Sequence, residues 1–258
     1  MKIALIQSPV WIAETPPYNL GLLKSFISSH KHECVCFDFN IELFDYYRNT
    51  DEGENWTQGE KRDFWHDEKY ALAFFKKSSP VIDKWLKKIV EIKPLVVGFT
   101  VQLTSLYFSV YLAEMIKKVL PETVIIFGGP AAYRNCKGYE IISRFSWIDA
   151  ICWGESENCL LEMLDIIKKK GEVDYCKGFA IRKNNGEILD CQDVPTAVED
   201  LDALPFADFS DLPLEKYTEI KLPISTSRGC VYKCIFCNER LHWKKYRFRS
   251  AQNVYAEI

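Results

Sequence analysis

The chain has 258 residues, 48% of them apolar, which is enough to build a substantial core in one large or two modest domains. A formal net charge of −3 provides no global basic field and argues against nucleic acid as a partner. Ten cysteines, of which Cys34, Cys36, Cys136, Cys152 and Cys159 sit in apolar settings and are expected to be buried thiols, no apolar leader and no apolar run of membrane-spanning length point to a cytoplasmic protein with reduced thiols that does not enter a membrane.

Residues 2–7 form a short apolar run, expected to be a buried parallel strand. Asn19 is expected to cap a helix over 20–29, with Leu22, Leu23, Phe26 and Ile27 on one face. A second strand is expected over 33–39. Strand, helix, strand at this spacing is the βαβ unit of a doubly wound sheet.

Residues 41–93 break that rhythm. They are rich in aromatic and charged residues and carry two helical patterns. One covers 61–77. The other starts at Ser79-Pro80, a plausible cap with proline in the first turn, and sets Ile82, Trp85, Leu86, Ile89 and Val90 in one stripe. The segment reads as an insertion that packs on the sheet or covers a ligand, and its aromatic stripes read as core. His66 reads as a surface or satisfied histidine.

The alternation resumes with a strand over 95–100 and a helix over 106–120 that aligns Leu106, Val110, Ala113 and Ile116. A strand over 124–127 ends in Gly128-Gly129-Pro130, and another over 149–153 ends in Gly154-Glu155-Ser156-Glu157. The next helix carries Leu160, Leu161, Leu164 and Ile167 and stops near Gly171. The pattern is that of an α/β, flavodoxin-like (Rossmann-like) doubly wound parallel sheet. Such sheets bind ligands at the carboxyl ends of their strands. The small or polar loops there are Val101-Gln102-Leu103-Thr104-Ser105, Gly128-Gly129-Pro130 and Gly154-Glu155-Ser156. Glycines at such places let a large ligand approach the backbone, although tight turns need them too. No G-x-G-x-x-G follows the first strand, which argues against a dinucleotide site.

Residues 179–182 and 188–189, joined through Asn184-Asn185-Gly186, read as a β-hairpin. A Pro- and Asp-rich ordered linker is expected over 193–221, separating an α/β domain (1–192) from a second unit (222–258). That unit is expected to open with a strand at Leu222 and to continue into Ser225-Thr226-Ser227-Arg228-Gly229-Cys230-Val231-Tyr232-Lys233-Cys234-Ile235-Phe236-Cys237. Three thiols at C-x3-C-x2-C spacing behind a glycine can converge on one metal centre. Three buried apolar thiols fit such a polar loop poorly. A zinc knuckle completed by His242 is a rival, because structural zinc wants four ligands. A four-iron cluster held by three cysteines would leave one iron open. The base–aromatic alternation over 240–249 reads as a solvated or interdomain face rather than a nucleic-acid patch. Ser250 is expected to cap a last helix. Residues 222–258 cannot bury a core alone, so the chain reads as the N-terminal part of a longer protein.

The order of these features resembles the cobalamin-binding-domain subclass of the radical S-adenosylmethionine (radical SAM) enzymes, over essentially the whole chain. Gly-Gly-Pro and Gly-Glu-Ser-Glu loops come first, then the Asp-Leu-Asp-x-Leu-Pro-Phe linker, then Arg228-Gly229-Cys230 leading the cysteine motif. The resemblance implies a [4Fe–4S] cluster on Cys230, Cys234 and Cys237, in the start of a radical SAM (β/α) partial barrel. It implies S-adenosylmethionine chelated by the open iron, with Phe236 near its adenine. It further implies cobalamin lying on Gln102, Leu103, Thr104, Ser105, Gly128, Gly129, Pro130, Gly154, Glu155 and Ser156. No D-x-H-x-x-G motif is present, so the lower axial ligand is unassigned, and no catalytic residue is assigned. The implied partners are a flavodoxin- or ferredoxin-type one-electron reductase and a small-molecule or peptide substrate. The implied reaction is methylation of an unactivated carbon. Cyclisation, oxidation or rearrangement without methyl transfer is the first alternative, and a non-catalytic zinc-stabilised ligand-binding protein the second.

Overall fold

β1 (Lys2–Gln7) is buried from Ile3 onward because it lies inside a sheet covered on both faces. The computed structural model describes every residue except 58–65, 135, 192–196, 233, 238–242 and 244. After β1 come α1 (Tyr18–Ser29), β2 (Glu33–Asp38), α2 (Phe39–Tyr47), α3 (Glu54–Thr57), α4 (Glu68–Lys77) and α5 (Ser79–Ile92). Then follow β3 (Val96–Thr100), α6 (Leu106–Val119), β4 (Val124–Gly128), α7 (Gly138–Arg144), β5 (Ala150–Cys152) and α8 (Ser156–Lys170). The hairpin of β6 (Phe179–Arg182) and β7 (Ile188–Asp190) completes one sheet in the order β2-β1-β3-β4-β5-β6-β7. β2 to β5 run parallel, as a flavodoxin-like order requires, and β6 and β7 extend the edge antiparallel.

Two apolar layers flank the sheet. Leu20, Ile27, Leu160, Leu164 and Ile167 of α1 and α8 pack on one face. The aromatic segment packs on the other, with Phe39 stacked on Trp85 at 4.4 Å and Phe75 edge-on to Phe108 at 4.9 Å. Its stripes are therefore core. α5, with Ile82, Trp85, Leu86 and Ile89 buried, is the crossover that any β2-to-β3 connection needs, so only α2 to α4 are additional. α2 went unread in the sequence because its apolar residues sit among acids and tyrosines; the Asp38 carboxylate caps it by accepting from Ile41 N at 3.1 Å. The helix expected over 61–77 is seen as α4, and residues 61–65 lie outside the described residues.

Three further expectations are corrected. α1 begins at Tyr18, and Asn19 does not cap it: its side-chain amide donates to Thr100 Oγ1 at 2.7 Å. No strand forms at 221–224, where Pro223 has no N–H to donate and Ile220, Leu222 and Ile224 are exposed. The pairing lies further on, between β8 (Ser227–Arg228) and β9 (Arg247–Phe248). Cys136 is exposed rather than buried, whereas Cys34, Cys36, Cys152 and Cys159 are buried. All ten cysteines are free thiols. Ser250 caps α9 (Ala251–Glu257), accepting from Asn253 N at 3.1 Å, as expected. Among the described residues no helix is long and apolar enough to cross a membrane.

Residues 201–218 lie along α1 and the open edge of β2. Asp211 accepts from Cys36 N at 2.8 Å, and Lys24 pairs with Asp208 at 3.0 Å and Asp211 at 2.8 Å. An exposed strand edge is thereby covered. Tyr217 donates its hydroxyl to the buried Asp38 at 2.7 Å. Burial pushes the Asp38 carboxyl up to about 7, against the opposing pull of the Tyr217 hydroxyl and the Ile41 and Asn40 amides. The folded chain thus holds a proton there that the unfolded chain releases near 3.8. That contribution to stability is complete below the unfolded value and is lost as pH rises through about 7. Thermal unfolding temperature is expected to fall between about pH 4 and pH 7 and to level off above, and Asp38→Asn to flatten that fall. An identical pH profile in the variant would remove Asp38 as its source.

Candidate functional site

The carboxyl ends of β1, β3, β4 and β5 converge on one edge of the sheet, and hydrogen bonds tie their loops together. Thr104 Oγ1 donates to Val10 O at 2.7 Å, joining the loops after β3 and β1. Ala131 N donates to Val101 O at 3.0 Å, joining those after β4 and β3. The strand order reverses between β1 and β3, which places a crevice there. Asn40, buried on α2, holds the near wall: it accepts from Trp11 N at 2.8 Å and Trp56 Nε1 at 2.7 Å and donates to Ile12 O at 2.9 Å. One role of the aromatic segment is therefore to fix the loop after β1.

The residues expected around a ligand at this edge divide by what they already do. Ser105 is buried, and its hydroxyl accepts from Gln102 N at 3.0 Å to turn the loop. Gly129, at φ +94°, is needed for packing, because a Cβ there would lie 2.9 Å from Val101 O. Gly128 is different: a Cβ would meet only Cys152 Cβ at 3.8 Å, so side-chain space stands open above it. Gln102, Gly128, Gly154 and Ser156 are half-buried, and Leu103 and Pro130 exposed. Ser8, just after β1, was not anticipated; it is fully buried, and among the described residues its hydroxyl has no hydrogen-bond partner.

The carboxylate of Glu155 points into an ion cluster rather than standing free. Arg228 Nη1 and Arg247 Nη1 each lie 3.0 Å from Glu155 Oε2, and a second Arg247 nitrogen bonds Oε1. Arg228 also bonds Glu157, and Arg247 the Val198 carbonyl. Val198 N donates to Glu155 at 3.2 Å. Burial pushes the Glu155 carboxyl up, but the hydrogen bond and charge of Arg247 and the charge of Arg228 outweigh it and hold the group below the ordinary carboxylate range. For Arg228, desolvation works against the charge and Glu157 and Glu155 overcome it, so its pKa is raised.

Arg228 and Arg247 face each other across the β8–β9 ribbon, and the cysteine loop starts one residue beyond Arg228. Gly229 makes that turn at φ +86°. Cys230 and Cys234 are exposed and Cys237 half-exposed. Tyr232 N donates to Cys230 Sγ at 3.5 Å and Cys237 N to Cys234 O at 3.2 Å. Among the described residues the sulfurs are not drawn into a metal-holding group, and His242 lies outside those residues. The donors nevertheless suit a metal cluster: three thiols, none used in the core and none in a disulfide. Phe236 is exposed beside them. Of the 240–249 segment, residues 240–242 and 244 lie outside the described residues; Arg247 and Arg249 have their side chains buried in ion pairs, and Arg228 lies 5.3 Å over the Trp243 ring.

No protein-family model matches the chain. It is 27% identical over 183 residues to an uncharacterised methyltransferase of Pyrococcus horikoshii, covering 67% of this chain and 38% of that protein. It is 28% identical over 186 residues to the anaerobic magnesium-protoporphyrin IX monomethyl ester cyclase of Rubrivivax gelatinosus, covering 68% and 32%. The chain therefore spans a third or slightly more of the length of these relatives. Its fold matches the cobalamin-dependent S-adenosylmethionine radical enzyme OxsB, solved with aqua-cobalamin and S-adenosylmethionine, at a TM-score of 0.70 and 17% identity, over 99% of this chain and 31% of that one. It also matches the radical S-adenosylmethionine methyltransferase TsrM of Kitasatospora setae, with a TM-score of 0.61 and 18% identity over 99% and 44%. The two fold neighbours are named for the S-adenosylmethionine radical chemistry that the cysteine motif resembles, and the two sequence relatives for methyl transfer and ring formation.

Proposed function

We propose that this chain holds a corrinoid on the carboxyl edge of its sheet and a [4Fe–4S] cluster on Cys230, Cys234 and Cys237, for S-adenosylmethionine-dependent methylation of carbon. The observation that carries this is the juxtaposition itself: a loop with three uncommitted thiols is pinned by Arg228 and Arg247 to the loop that ends β5. When bound, the cluster and S-adenosylmethionine would supply radical chemistry, and the corrinoid a transferable methyl group.

The chain's own residues bind and orient. Gly229 and the β8–β9 ribbon lead into the loop that carries the three free thiols. The open space at Gly128 lets a flat ligand approach the backbone closely. Leu103 offers apolar contact at the rim. Phe236 remains the candidate for the adenine, a one-electron reductase the candidate partner, and a small molecule or peptide the candidate substrate. A second reading, ring formation without methyl transfer, is favoured by the likeness to the cyclase.

Anaerobic reconstitution is expected to give about four irons and four sulfides per chain, and Cys230→Ala, Cys234→Ala or Cys237→Ala to lose them. Hydroxocobalamin is expected to bind with a spectral change, and Gly128→Trp to abolish that binding by filling the open space. Stoichiometric zinc without sulfide, or no cobalamin binding by the wild-type chain, would overturn the reading. Methyl-labelled S-adenosylmethionine separates the two reactions, since only methyl transfer leaves label in the product.

A further inference from the structure

Glu155 and Glu157 sit on either side of the start of α8, directly after Gly154 at the carboxyl end of β5. Their charges meet two arginines that come from far along the chain and flank the cysteine loop: Arg228 precedes Cys230 by two residues, and Arg247 pairs with Arg228 across the ribbon. All four side chains are less than a tenth exposed, and the charges balance two against two. The ribbon and α9 also meet the linker, through Ser250 N to Asp202 at 2.9 Å, Asn253 to the Asp202 carbonyl at 3.4 Å, Lys245 to Glu199, and Arg249 packed on Phe206. Among the described residues, the ion pairs between the ribbon that leads into the cysteine loop and the sheet edge run through Glu155 and Glu157.

We propose that Glu155 and Glu157 are positioning residues that hold Arg228 and Arg247 and so set one separation between the thiol loop and the ligand edge of the sheet. This rests on the reading under Proposed function, with a corrinoid on that edge and a cluster on the thiols. Glu155 then serves the corrinoid indirectly, by facing its neighbour unit, while Gly154 and Ser156 on either side remain available to the ligand. A preorganised geometry of this kind limits the spread of distances between two reacting groups, which is where a modest misplacement carries a large cost in rate.

The test uses Glu155→Gln and Glu157→Gln in the full chain. In cofactor-free protein, amide exchange in β8 and β9 is expected to quicken at least tenfold in Glu155→Gln, while β1, β3 and β4 exchange as in wild type; this shows that the variant folds. In protein loaded with cob(II)alamin and a reduced cluster, pulsed electron paramagnetic resonance is expected to give one narrow cobalt–cluster distance in wild type. The same measurement should give a broadened distribution in Glu155→Gln, at unchanged cobalt and iron content. Glu157→Gln, which leaves Arg247 paired, is expected to broaden it less and guards against loss of folding in the first variant. Equal distance distributions in wild type and both variants would overturn the proposal. Failure of the underlying reading shows differently: wild-type protein would then lack cobalt or iron, and the proposal would fall with it.

Discussion

Gly229→Ala is expected to unseat the cysteine loop and to cut iron uptake on anaerobic reconstitution by more than tenfold. Two costs coincide at this position. The backbone stands at φ +86°, where a side chain costs about 1–2 kcal/mol. A Cβ there would also lie 2.5 Å from Lys245 O and 3.1 Å from Tyr246 Cα, both backbone atoms that cannot swing aside. The segment that must give way leads directly into β9, whose ladder with β8 spans two residue pairs, so little resists its opening. Gly186→Ala is the control. It has the same backbone conformation at φ +85° in the hairpin turn, with nothing within 4 Å of its Cβ. It is expected to cost only the conformational part and to leave iron uptake intact. Iron per chain in the two variants decides the matter, and equal loading would sink the claim that the turn is sterically required.

The elements that could be read from sequence are those whose evidence is local. β1 announces itself as a continuous apolar run and α6 by a helical apolar stripe, and both were located to within a residue at each end. α8 ends where Gly171 takes φ +79°, a conformation that the residue itself announces. The cysteine loop was legible for a different reason: three chemically distinctive residues at fixed spacing have few structural explanations. The loops of the sheet edge were legible in place but not in content. Gly128 and Gly129 are adjacent and identical in sequence, yet one is needed for packing and the other leaves open space, which only the position of Val101 decides. What could not be read was pairing over distance. Glu155 and Arg247 are 92 residues apart, and no periodicity connects them. Glu155 is assigned from sequence to a ligand, whereas of the matching arginines Arg228 reads only as the lead into the cysteine motif and Arg247 as part of a solvated or interdomain face. The expected strand at 221–224 failed by the same logic: an apolar run is a strand only where another strand meets it, and here the partner, β9, meets Ser227 and Arg228 instead.

Arg247→Met is expected to destabilise the docking of β8, β9 and α9 by about 3–5 kcal/mol, the usual cost of removing one member of a buried ion pair. The side chains involved are 5% exposed, so solvent does little to screen the loss. The variant leaves two carboxylates facing Arg228 alone and strands the Val198 carbonyl that Arg247 now satisfies. A pH signature distinguishes this mechanism from simple loss of packing. In wild type the Glu155 carboxyl is held below its ordinary value of 4.5, so its stabilising contribution is present above that value and lost as pH falls through the folded one. In Arg247→Met the largest opposing influence is gone and burial, which pushes the group up, gains weight. The variant's deficit is therefore expected to shrink on acidification, as the uncompensated carboxylate takes up a proton. Native-state hydrogen exchange over 227–257, corrected for intrinsic rates at each pH, measures both the deficit and its slope. Adding Glu155→Gln to Arg247→Met removes the surplus charge and should cost less than the two single changes summed, because the residues share one network. Strict additivity, or a deficit below about 1 kcal/mol, would mean that the four charges are neighbours without being a clamp, and that packing of the ribbon against the linker holds the cysteine loop in place.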